Sequence, residues 1–142
     1  IDTCTKSCGK VKKNKIDIIL LVQPTSPLRK VIHIKNVIKK IVDEKLDSVW
    51  TVSKADLKFH PLKQLILKKN ILSHYNKKGG EIVARQQLNN TYYRNGVVYA
   101  VTRELILKNK NLISNKSSGY LINTPQISID TVKDLKLASQ LM

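Results

Sequence analysis

The apolar run Ile18-Ile19-Leu20-Leu21-Val22 stops at Gln23-Pro24-Thr25-Ser26-Pro27-Leu28-Arg29, and this junction constrains the fold more than any other stretch of the chain. A short β-branched-rich run bounded by a proline pair reads as a buried strand that empties into a rigid polar loop. Pro24 and Pro27 hold φ and remove two backbone donors, so the loop can neither prolong the strand nor begin a helix before Pro27. Next, Val31, Ile34, Val37, Ile38, Ile41 and Val42 fall on one helical face, with Lys35, Lys39, Lys40, Asp43 and Glu44 opposite. Residues 48–53, with Val49, Trp50 and Val52, read as a second strand. Strand, helix and strand at this spacing make a βαβ unit with a right-handed crossover. The expected fold is therefore α/β with a mostly parallel sheet. Ligands of such sheets bind beyond the carboxyl ends of the strands, which puts residues 23–29 where a substrate is expected. The same residues would also serve as an ordinary strand-to-helix turn.

The texture changes after residue 56. Leu65-Ile66-Leu67, Ile71-Leu72 and Ile82-Val83 are short apolar runs separated by Lys68-Lys69-Asn70 and Lys77-Lys78-Gly79-Gly80, and they read as short strands or hairpin arms. Residues 57–95 are expected to form a small β-rich insertion within a single domain of residues 1–142. Its apolar runs are poorly buried by one domain of this size and suit a homodimer contact. Asn95-Gly96 precedes Val97-Val98-Tyr99-Ala100-Val101, a strong strand signal. Residues 103–108 read as a short helix, and residues 121–122 and 127–129 as strand pieces around Pro125. Thr131-Val132-Lys133-Asp134 is a capping-box pattern, opening a last helix with Val132, Leu135, Ala138 and Leu141 on one face.

With 142 residues and 42% apolar content the chain can build one packed core. No apolar run approaches the roughly 20 residues that span a bilayer. No signal-peptide core is visible, so no membrane partner and a cytoplasmic location are expected. Cys4 and Cys8 stand far from His33, His60 and His74, at no metal-finger spacing, and read as free thiols of a reducing compartment. The formal net charge of +16 makes nucleic acid a rival partner. Against it, the positive charge is mostly lysine, dispersed over helix and turn surfaces, and aromatic content is only 5%, leaving few stacking platforms. A solvated lysine-rich surface is the plainer reading, and a basic cleft would suit an anionic nucleotide and an anionic sugar.

The strand followed by Gln23-Pro24-Thr25-Ser26-Pro27-Leu28-Arg29 resembles the CMP-sialic acid synthetases (acylneuraminate cytidylyltransferases). Three further stretches agree in order. His60-Pro61-Leu62-Lys63 resembles the family's His-Pro-x-Lys element. Arg85-Gln86-Gln87-Leu88 with Asn95-Gly96-Val97-Val98-Tyr99 resembles its Arg-Gln-x-Leu and Asn-Gly-x-x-Tyr pair. Ile129-Asp130-Thr131 with Asp134-Leu135 resembles its Asp-Thr-x-x-Asp-Leu ending. The matches run from residue 23 to the C-terminus.

The resemblance implies a Rossmann-like nucleotide-diphospho-sugar transferase sheet and a reaction in which the anomeric hydroxyl of a nonulosonic sugar acid attacks the α-phosphate of CTP. It implies Asp130 as the Mg²⁺-holding aspartate, although Asp130 also stands where a helix cap would. It implies Gln23, Lys63, Arg85 and Tyr99 as substrate contacts, with Arg85 suited to the sugar carboxylate through guanidinium geometry, and a homodimer in which Lys63 or Arg85 reaches the neighbouring cleft. Three departures matter. The family has a second aspartate two residues before the first, where this chain has Ser128, a poorer Mg²⁺ ligand. Leu112 and Ile113 stand where many members have aromatics near the sugar, leaving the sugar preference open. The family's glycine- and basic-rich triphosphate loop has no match in residues 1–142, so about two βαβ units of about 30 residues each are expected to be missing. An inactive fragment or pseudoenzyme that keeps the sugar-acid and dimer surfaces is the alternative.

Overall fold

A computed structural model describes residues 16–81, 84–108 and 111–142, with Arg85 described by its backbone alone. In chain order the elements are β1 (Ile18–Leu21), α1 (Val31–Asp43), β2 (Ser48–Lys54), β3 (Leu65–Lys68), β4 (Ile71–His74), β5 (Tyr92–Thr102), α2 (Arg103–Lys108), β6 (Ser117–Leu121) and α3 (Val132–Leu141), with short 3-10 turns between β2 and β5. They fall into two compact units. One takes in the chain up to Val52 together with Arg94–Met142, and the other is Ser53–Tyr93.

The first unit is built on a four-stranded sheet ordered β1-β5-β2-β6. β1 runs antiparallel to β5, with Ile18 opposite Thr102 and Leu21 opposite Tyr99. β2 runs parallel to β6, with Ser48 opposite Ser117 and Val52 opposite Leu121. The α/β class is as expected, but the sheet is mixed: the parallel arrangement is met at β2–β6 and not at β1–β5. Apolar periodicity marks a strand without marking its direction, which only pairing decides. β5 also separates β1 from β2, so the two ends of the strand-helix-strand segment are not neighbours in the sheet.

α1 covers the sheet through Val37 and Ile41, which pack with Val49, Val97, Val98, Ala100 and Ile122. The buried stripe is His33, Val37 and Ile41, one i, i+4 row. It is narrower than the apolar face of the sequence, since Val31 and Val42 are exposed. The helix ends in a Schellman motif. The Leu46 N–H bonds Ile41 O and the Lys45 N–H bonds Val42 O, with Lys45 in the left-handed region at φ 50°. Inside the sheet, the Thr51 hydroxyl donates to Val98 O and accepts from Val98 N, both at 2.9 Å, so a buried side chain completes the backbone pairing. Residues 127–129 do not form a strand. One bond, from Ile129 N to Thr25 O at 2.9 Å, ties that segment to the loop after β1.

In the second unit β3 and β4 form an antiparallel hairpin. Lys69 and Asn70 at its tip both have positive φ, 47° and 64°, the requirement of a type I′ turn. The hairpin lies within the 57–95 stretch that reads as β-rich, while Ile82 and Val83 lie outside the described residues. Among the described residues, no helix is long and apolar enough to cross a membrane.

Candidate functional site

The loop after β1 is a tight, internally bonded turn. Ser26 N–H bonds Gln23 O, and the Arg29 guanidinium folds back to donate to Gln23 O at 2.6 Å and to Ser26 O at 3.4 Å. Arg29 thus gives each carbonyl a second donor, beside the Ser26 N–H on Gln23 O and the Arg29 N–H on Ser26 O. Buried Ser26 donates from Oγ to Gly96 O at 3.1 Å, fastening the loop to β5.

Gly96 is the pivot of the site. Its φ of +76° favours glycine, and a Cβ placed there would lie 2.1 Å from Gln23 Oε1 and 3.3 Å from Ser26 Oγ. Its N–H donates to the Tyr99 hydroxyl at 3.0 Å. Gln23 and Tyr99, expected as substrate contacts, therefore meet at one glycine. Tyr99 is buried, so its phenol oxygen fixes the Asn95-Gly96 corner. Asn95 is buried too, and its side-chain oxygen accepts from Val97 N–H. Behind Tyr99 lies Trp50, ring centroids 4.8 Å apart, and the Arg94 guanidinium sits 5.7 Å from the Trp50 ring.

Asp130 follows a segment held to the same loop twice, through Ile129 N to Thr25 O and through Ser128 Oγ to Thr25 Oγ1 at 3.3 Å. The alternative role of Asp130 as a helix cap is filled by others. Thr131 Oγ1 accepts from Asp134 N, and Asp134 Oδ2 accepts from the N–H groups of Asp130 and Thr131 and from the Thr131 hydroxyl. These hydrogen bonds, led by that from the Thr131 hydroxyl, hold the Asp134 carboxyl below its ordinary range. The Asp130 carboxylate is exposed and makes no hydrogen bond among the described residues. No group of three or more His, Cys, Asp or Glu that could cage a metal occurs among the described residues. The donor set of one exposed carboxylate and the Ser128 hydroxyl fits Mg²⁺ only in its habit of taking one or two carboxylates with waters and substrate phosphates.

Lys63 and Arg85 belong to the second unit. Lys63 ends a 3-10 turn begun by Pro61, and is exposed. Buried His60 caps that turn, accepting from Leu62 N–H at Nδ1, 3.2 Å. Arg85 opens another short turn, Arg85–Gln87; its side chain lies outside the described residues. Sequence reasoning missed Ser26 as the fastener, and missed Trp50 and Arg94. Ser26 was visible only as one polar residue of a loop. Nothing in spacing announces that residues 50, 94 and 99 share a surface.

No protein-family model matches the chain. The chain is 32% identical over 130 residues, 89% of its own length, to CMP-N,N'-diacetyllegionaminic acid synthase of Legionella pneumophila subsp. pneumophila (strain Philadelphia 1). It spans about half of that relative, 54% of its length. Over that half, the chain is similar to a CMP-nonulosonic acid synthetase, consistent with the CMP-sialic acid synthetase-like family that its four ordered motifs resemble.

Proposed function

We propose that the chain is part of a cytidylyltransferase that joins CMP from CTP to a nonulosonic sugar acid. In this reaction the anomeric hydroxyl of the sugar attacks the α-phosphate, loses its proton, and pyrophosphate leaves. The observation that carries the reading is the convergence of Gln23 and Tyr99 on Gly96, within a chain that aligns over 130 residues with a CMP-nonulosonic acid synthase. Gln23 orients hydroxyl or acyl groups of the sugar, and Tyr99 shapes the wall behind it. Lys63 and Arg85 supply cations for the sugar carboxylate, from the same chain or from a partner copy in a homodimer. Asp130 holds Mg²⁺ together with substrate phosphates. That ion neutralises phosphate charge, which is what phosphoryl-type transfer most needs beyond positioning. The protein works in the cytoplasm, where CTP is at hand. The second reading, an inactive subunit that keeps the sugar-acid surface, is favoured by Ser128 at the position of a second metal carboxylate.

Pyrophosphate release from CTP, Mg²⁺ and a sialic-type acid tests this, with this chain and with any longer polypeptide that carries it. Residues 1–142 alone are expected not to turn over CTP, because their sequence holds no match to the family's triphosphate loop. In an active longer form, Asp130→Ala is expected to abolish transfer with an unchanged circular dichroism spectrum. Full activity in that variant removes the metal assignment. A longer form that is inactive until Ser128→Asp is introduced favours the inactive-subunit reading.

A further inference from the structure

The contacts around Gly96 do not stop at Tyr99. Gln23 meets Gly96, Gly96 bonds the Tyr99 hydroxyl, Tyr99 packs on Trp50, and Trp50 carries Arg94 over its ring. All five residues belong to the first unit. On β2, Val49 packs into the core with α1, so Trp50 projects from the other face of the strand. The residue in register with Trp50 on β6 is Gly119, whose missing side chain is partly covered by Val52, 3.3 Å from where a Cβ would stand. Arg94 is exposed, and among the described residues no carboxylate pairs with it. It is therefore a cation with a fixed seat and no counter-charge.

The indole is not there to make a hydrogen bond. Trp50 Nε1 is buried with no partner among the described residues. An unpartnered buried donor costs roughly 1–3 kcal/mol, a cost that Phe or Leu at this position would avoid. What Trp supplies beyond them is a wide, electron-rich face, the best side chain for seating a guanidinium.

We propose that Arg94, seated on Trp50, is a carboxylate-binding residue of the sugar-acid site in the first unit, and that Trp50 is its positioning residue. This deepens the proposed function and rests on it. The chemistry follows from geometry: a guanidinium offers a planar two-pronged donor to a carboxylate, and here it is linked through Trp50 and Tyr99 to the Gly96 corner that Gln23 approaches. Arg94 adds to the cations that Lys63 and Arg85 supply in the proposed function.

Trp50 is the single tryptophan of the chain, so its fluorescence reports on this spot alone. The chain is titrated with N-acetylneuraminic acid and with its methyl ester, following Trp50 emission and heat in parallel. The acid is expected to change the emission and to bind at least about tenfold more tightly than the ester, the worth of a charge-assisted hydrogen bond. Arg94→Gln is expected to weaken the acid about tenfold and to reduce the preference for acid over ester by the same factor, while Arg94→Lys restores part of it. By calorimetry, Trp50→Phe keeps the acid preference and Trp50→Leu loses it. A merely structural role for Trp50 would weaken acid and ester alike. If Trp50→Leu does not fold, the Arg94 arm decides. Undiminished acid preference in Arg94→Gln overturns the proposal while leaving the proposed function standing. Absence of acid binding by the unaltered chain overturns both.

Discussion

Gly96 carries two demands at once, a positive φ and an open approach for Gln23. A Cβ there strains the backbone by about 1–2 kcal/mol and pushes the Gln23 amide aside. Because that amide is the far end of a flexible side chain, most of the cost is backbone strain. Gly96→Ala is expected to lower stability by about 1–2 kcal/mol in urea denaturation and to weaken sugar-acid binding further than stability alone accounts for. His33 makes a second, pH-dependent statement. It is buried on α1, accepts the Lys30 N–H at Nδ1, and has its pKa pushed below the ordinary 6.5, first by burial and then by the nearby Lys30 charge. The unfolded chain then takes up a proton near pH 6.5 that the folded chain resists. The stability His33 provides is fully present above pH 6.5 and is lost as pH falls through its folded value. Urea midpoints at pH 7.5 and pH 5.5 are expected to differ less in His33→Asn than in the unaltered protein. An equal difference in both would locate the pH dependence elsewhere.

Among the elements, α3 shows how far a local pattern reaches. Thr131 and Asp134 form the capping box that their spacing predicts. The helix interior does not follow its apolar stripe. Ala138 is buried, while Val132, Leu135 and Leu141 are at least half exposed. The cap therefore matters more to this helix than packing does. Thr131→Ala is expected to lower stability by about 1 kcal/mol. Because hydrogen bonds depress the Asp134 pKa below 3.8, the contribution of the cap carboxylate is present above that value and lost as pH falls through the folded pKa. Amide exchange of the first turn of α3, compared at pH 6 and pH 3, reads this directly, and Asp134→Asn removes the pH step. α1 differs in kind: its Val37 and Ile41 are sealed against the sheet, so its stability is tertiary.

At the scale of the molecule, the Ser53–Tyr93 unit exposes Phe59, Leu65, Leu67, Ile71, Leu72 and Tyr75. An exposed two-stranded hairpin is marginal by itself, and apolar side chains at this density mark a contact surface. We expect a homodimer formed largely through this unit. Sedimentation at micromolar concentration is expected to give a dimer, and the double substitution Leu67→Lys with Ile71→Lys a folded monomer. A monomer in the unaltered protein counts against the dimer.

How much of this was legible in the sequence differs by kind of information. The strand within 18–22, the proline loop, the helix after it, the 65–67 and 71–72 hairpin runs, the Asn95-Gly96 strand and the Thr131 cap could all be read, because each rests on interactions within a few residues: period, φ restriction, turn chemistry and side-chain capping. The burial expected of the first strand was not met, since β1 lies at the sheet edge with Leu21 and Val22 exposed. The motif resemblance supplied Gln23, Tyr99 and Asp130, and with them the substrate class to test. Tertiary structure alone decided that β5 lies between β1 and β2 and runs antiparallel to β1, since direction and order follow from long-range pairing that periodicity does not encode. It alone narrowed the buried stripe of α1, because a helix buries only the row that meets its sheet. It alone brought Trp50, Arg94 and Tyr99 together, because contacts between residues on different strands depend on how those strands pair.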